Sequence, residues 1–115
     1  MSFQKFSRNL TLPVTEERVL IMNKQSDAPR SVQVRHLGKS GETTPATLKF
    51  QESQDGTNWY DISGTTVVVD SGSGTSWLIT SNKPYVALAG YGNVDIEVAV
   101  DRSDPDTSLP QTINM

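Results

Sequence analysis

Asn93-Val94-Asp95-Ile96-Glu97-Val98-Ala99-Val100-Asp101 is the stretch on which the fold turns. Val94, Ile96, Val98 and Val100 occupy every second position, with Asp95, Glu97, Ala99 and Asp101 around them. A period of two sends successive side chains to opposite faces of an extended chain. The segment therefore predicts a strand with one apolar face for a core and one polar face for water, as in antiparallel sheets.

Working outward, the same signature returns. Ser31 to Leu37 sets Val32 and Val34 against Gln33 and Arg35, and Thr44 to Ser53 sets Ala46, Leu48 and Phe50 against Thr47, Lys49 and Gln51. Pro45 stands at the start of the latter run, where a missing N–H costs least. Thr65 to Asp70 is β-branched, Thr75 to Thr80 holds Trp77, Leu78 and Ile79, and Lys83-Pro84 leads into Tyr85 to Ala89. Arg18 to Met22 is apolar on both faces and should be covered on both. Gln54-Asp55-Gly56-Thr57, Ser63-Gly64, Ser71-Gly72-Ser73-Gly74 and Tyr91-Gly92-Asn93 supply the reversals, because Gly, Asn and Asp tolerate positive φ. No run shows the spacing of an amphipathic helix. These signals predict an all-β chain, an antiparallel β-sandwich or small barrel of about seven or eight strands.

The chain has 115 residues, and at that length a single domain buries roughly 65% of the surface its unfolded chain exposes. Cysteine is absent, which excludes disulfides and thiolate metal sites. The opening MSFQKFSRNLTLPV carries no apolar leader, so synthesis in the cytoplasm is expected. No stretch approaches the ~20 apolar residues that span a bilayer, and no membrane partner is expected. The formal net charge is −3, with both signs interspersed. Lys24, Arg30, Arg35 and Lys39 gather loosely, as solvated faces and turns do, without the basic patch that a phosphate backbone demands. Nucleic acid is therefore not an expected partner.

Catalytic chemistry finds little to work with. His36 is the single histidine and reads as a surface or rim residue at a strand end. A nucleophilic arrangement would have to recruit it with one of the serines, none of which sits in a G-x-S-x-G setting. Glu52, Asp55 and Asp61 flank one predicted hairpin, the arrangement from which a calcium site or a carboxylate pair is built. Asp55 has a turn role, however, and Glu52 is expected to face solvent. Ser71–Gly74 has glycines but no following Lys-Ser/Thr to cradle a phosphate. Trp59 is expected to anchor the core behind the Asp-Gly hairpin, and Trp77 to lie in the core. Exposure of either would instead make a stacking platform for a sugar ring. No catalytic residue, metal ligand set or cofactor is predicted.

The segment Leu48-Lys49-Phe50-Gln51-Glu52-Ser53-Gln54-Asp55-Gly56-Thr57-Asn58-Trp59-Tyr60-Asp61-Ile62 resembles a pattern of small β-sandwich proteins of tailed bacteriophages. There a strand ends in polar residues and D-G-x-x-W-x-D-I opens the next. Asp55-Gly56 makes the reversal, Trp59 packs across the neighbouring sheet, and Ile62 returns to the core. The match covers fifteen of the 115 residues, with weaker similarity in the later Gly-Ser turn and the final strand. Related hairpins occur in discoidin-like and other carbohydrate-binding sandwiches. The resemblance implies a virion structural protein, and among these a capsid decoration (cement) protein that binds the outer shell and stabilises it. It implies the major capsid protein or other virion proteins as partners, a homo-oligomer with a trimer favoured, and a place on the capsid surface. A tail, baseplate or head-fibre component shares the sandwich; a carbohydrate-binding β-sandwich module is the alternative of a different class.

Three regions follow. Residues 1–16 form an N-terminal arm or edge strand, residues 17–101 the sandwich, and residues 102–115 (RSDPDTSLPQTINM) an extended C-terminal tail too poor in apolar groups to offset its ordering entropy alone. The arm holds Phe3, Phe6, Leu10 and Leu12. These four are the expected partner interface, since free phenylalanines leave large apolar area in water. The alternative is that they pack on their own sandwich.

Overall fold

The computed structural model describes residues 6–23, 30–38, 44–100 and 112–114. Among these the chain forms ten strands and no helix: β1 (Phe6–Thr11), β2 (Glu17–Asn23), β3 (Arg30–Gly38), β4 (Ala46–Ser53), β5 (Tyr60–Asp61), β6 (Val67–Val69), β7 (Gly74–Ile79), β8 (Tyr85–Tyr91), β9 (Asp95–Val100) and β10 (Thr112–Asn114). One sheet runs β1-β9-β3-β7; the other runs β10-β2-β8-β4-β5, with β6 also on β4. Taken with β5 and β6 as one interrupted strand, β1 to β9 follow the strand order of a jelly roll, in which two Greek keys roll into a sandwich. The all-β antiparallel expectation holds, and the sandwich rather than the barrel is its form. Among the described residues only the pairing of β10 with β2 is parallel.

The stretch that decided the reading is β9, an interior strand flanked by β1 and β3. Val94, Ile96, Val98 and Val100 are fully buried, whereas Asp95, Glu97 and Ala99 are half-buried on the outer face. Opposite them stand Leu20, Met22, Leu48, Phe50, Val86 and Leu88 from the second sheet. Trp77 of β7 meets Phe50 edge to face, with ring centroids 4.8 Å apart and planes at 76°, and its indole N–H donates to the Thr65 carbonyl at 2.9 Å.

Irregularities explain where strand number and pattern depart from simple alternation. In β2 the register shifts between Arg18 and Leu20. That bulge turns both Val19 and Leu20 inward, which is why Arg18 to Met22 reads as apolar on both faces. Between β5 and β6 the Thr65 side chain stands in for a strand: its hydroxyl accepts from the Phe50 N–H at 3.0 Å and donates to the Ile62 carbonyl at 2.7 Å. One run of sequence is thereby split in two. Residues 112–114 of the C-terminal tail pair with Ile21, Met22 and Asn23 of their own sandwich; residues 101–111 lie outside the described residues.

Candidate functional site

The residues singled out from sequence go to four different places. Leu12 is fully buried, and Leu10 packs against the same core. The Leu12 N–H donates to the Val94 carbonyl at 2.8 Å, continuing the pairing of β1 with β9. These two leucines are therefore covered by their own chain. Phe6 pairs in register with Val100. Its side chain, and all of Phe3, lie outside the described residues.

His36 is buried, contrary to the surface or rim reading, and the cause is a local hydrogen-bond knot. Its Nδ1 accepts the Gly38 N–H at 2.9 Å, so its Nε2 carries the proton and donates to the Thr44 carbonyl at 2.8 Å. Both ring nitrogens are spent on backbone, which fixes the β3 bulge and the chain on either side of residues 39–43. The imidazole has no lone pair left for a substrate or metal.

The three hairpin carboxylates do not converge. Asp55 accepts from the N–H groups of Thr57 and Asn58 and from the Asn58 amide, each at 2.9 Å, and these bonds hold its carboxyl well below the usual carboxylate range. Asp61 is lowered by Gln51 and then Lys49. Lys49 is raised by its bonds to Asp61 and then Glu16, to which it lies 3.0 and 3.1 Å away. Glu52 accepts from Ser81. Among the described residues no group of three or more acidic or histidine side chains is arranged to hold a metal ion.

The loop that carries Asp55 folds back across the outer face of the second sheet. Trp59 is half-buried there, outside the core, with the Arg18 guanidinium 5.0 Å from its ring centroid. Arg18 also donates to Gln51. The expectation that Trp59 anchors the core is thus corrected: Ile62 and Trp77 pack on the core and Trp59 does not. Its ring lies against a cation instead of standing free as a platform.

What sequence did not assemble is an apolar strip at one end of this sheet. Val68, Thr47 and Tyr91 lie in one cross-strand row. Val68 is 59% exposed, Tyr91 40%, and neighbouring Val14 73%. Val14, Pro45, Thr47 and Tyr91 line a cleft of about 400 Å³. The turn between β8 and β9 holds it rigid. The N–H groups of Gly92 and Asn93 both donate to the Pro13 carbonyl, at 2.9 and 3.1 Å, fixing the chain that presents Val14. Gly92 is at φ 142°, and a Cβ there would stand 2.8 Å from the Pro45 carbonyl oxygen, so the turn tolerates only glycine. Each piece had a signal: Pro13 interrupts the arm, Pro45 opens a strand, and Tyr91-Gly92-Asn93 is a reversal. Their convergence required the jelly-roll crossing.

The jelly roll thus carries an exposed apolar strip and a shallow cleft at one end of its second sheet. No family model matches the chain, and no curated protein does. Among solved structures, it is similar to a chain of the Bacillus endospore appendages that form a novel family of disulfide-linked pili, with a TM-score of 0.56 and 18% identity over 84% of this chain and 82% of that one. It is also similar to the Yersinia pseudotuberculosis-derived mitogen, with a TM-score of 0.57 and 12% identity over 93% and 92%. A third likeness is PirA, with a TM-score of 0.56 and 14% identity over 83% and 91%. At these identities the likeness is one of fold.

Proposed function

We propose that this chain is a structural protein of a phage virion, a capsid decoration protein that binds the outer shell and stiffens it by bridging capsid subunits. The observation that carries this reading is the preorganised apolar strip of Val14, Val68 and Tyr91. Large apolar side chains held in water by a rigid turn gain free energy when another surface covers them. The D-G-x-x-W-x-D-I hairpin adds the phage resemblance, and the likeness to a pilus chain is in keeping with a fold used as a building block. Many copies on one particle turn a modest interface into strong retention.

Purified protein mixed with undecorated heads should bind saturably and raise their resistance to heat or internal pressure. Tyr91→Ser and Val14→Asp, which touch no core position, should weaken binding while leaving the melting temperature close to wild type. Absence of binding at micromolar protein sinks the proposal. Imaging of labelled virions then separates shell from tail, baseplate or fibre.

A further inference from the structure

The other outer edge, β7, carries an inference that does not depend on the virion reading. The His36 N–H donates to the Ser73 carbonyl at 2.9 Å, which sets the phase of the β3–β7 ladder. Since antiparallel partners alternate between bonded and non-bonded pairs, Thr75, Trp77 and Ile79 direct their backbone groups to Val34, Val32 and Arg30. Gly74, Ser76 and Leu78 then direct theirs away from the sheet. All three residues are exposed, and Leu78 stands 65% exposed on the outer face. β7 has no charge and no proline, the usual means of keeping an edge from pairing. At its other end Gly74 presents no side chain; a Cβ there would lie 3.0 Å from the Val34 carbonyl oxygen. Around Gly74 the outer face is hollowed into a groove of about 450 Å³, lined also by Gln33, Arg35 and Ser76.

We infer that β7 is a self-pairing edge: two copies join antiparallel about a two-fold axis at Ser76, continuing the first sheet from one molecule into the next. This register uses every outward backbone group of the strand. It sets Leu78 of each copy opposite Gly74 of the other, so that the exposed leucine fills the groove beside the glycine. Because β7 is uncharged, self-pairing brings no like charges together, and the contact is isologous, the same patch on both sides. A pair of strands this short falls at or below the low end of specific interfaces, roughly 1,200 Å². The dimer is therefore weak when dilute and is populated when protein is concentrated or when a particle holds copies side by side.

Sedimentation and small-angle scattering up to about 1 mM protein should show a reversible monomer–dimer equilibrium. Amides of Gly74, Ser76 and Leu78 should gain exchange protection with concentration. Ser76→Pro removes an N–H that faces away from the β3–β7 ladder, and Leu78→Lys places a charge on the outer face beside the pairing edge without touching the backbone. Each should weaken dimerisation at least about tenfold with folding retained, whereas Asn9→Pro on β1 should leave it unchanged. In this cysteine-free chain, Ser76→Cys should give a covalent dimer on oxidation, because the paired Cα atoms lie roughly 5.5 Å apart, within disulfide range. A wild type that stays monomeric at the highest concentration overturns the inference. So does dimerisation that survives Leu78→Lys, or that is lost with Asn9→Pro in a folded protein.

Discussion

His36, Asp55 and Trp77 show how single side chains here are spent on backbone. Replacing His36 by Phe keeps ring volume but removes the bonds to the Gly38 N–H and the Thr44 carbonyl; each lost hydrogen bond costs about 0.5–1.5 kcal/mol, a loss that urea unfolding will read as a lowered midpoint at unchanged slope. Asp55 gives a pH signature. Its carboxyl is held below its ordinary value of 3.8 by the Asn58 and Thr57 N–H groups, so its stabilisation is complete above that value and drains away as pH falls below it. Melting temperatures between about pH 5 and pH 2 should fall more steeply for wild type than for Asp55→Asn. Trp77→Phe should cost about 1–3 kcal/mol by leaving the Thr65 carbonyl without its indole donor. Much of this scale was legible: Asp55-Gly56 announced its turn, and Trp77 sat in an apolar run. His36 was not, because a polar ring looks like a surface group until the backbone that satisfies both of its nitrogens is folded around it.

Among the elements, β1 is the one whose role changed most. Its six residues pair along β9 from Phe6–Val100 to Thr11–Asp95, and the Leu12 that follows is sealed in the core. Leu12→Ala should therefore cost about 2–5 kcal/mol, as a partner contact would not. Deleting residues 1–8 takes Phe6, Ser7 and Arg8 out of that ladder and should lower the melting temperature. Deleting residues 1–5 leaves every β1–β9 pair in place, so assembly lost in that variant alone belongs to the segment containing Phe3. Strands with clean alternation, β3, β4 and β9, were readable because burial on one face writes itself into the sequence at every second residue. β2 and the β5–β6 break were harder, since a bulge and a threonine hydroxyl act across the sheet and leave no periodic trace.

For the whole molecule, the jelly-roll order joins strands distant in sequence, as β1 with β9 and β2 with β8. Such pairings must close long loops before any bond rewards them, so folding should take milliseconds to seconds, roughly the range of all-β sandwiches. Stopped-flow fluorescence of Trp77 in its packed site against Phe50 provides the readout. The same topology hid the exposed apolar strip. Val14, Val68 and Tyr91 come from three separate parts of the chain, and each alone is an ordinary exposed side chain. Only the crossing of the sheets makes them neighbours.

One consequence of that crossing is practical. β1 passes directly into β2 through residues 12–16, and β10 lies beyond β2, while β6 and β7 adjoin on the other side. Cargo domains spliced ahead of β1 or behind β10 are thus tethered along one flank. β7, the strand proposed to pair with a second copy, adjoins β6 on the opposite flank, so cargo joined at either end is attached away from that edge.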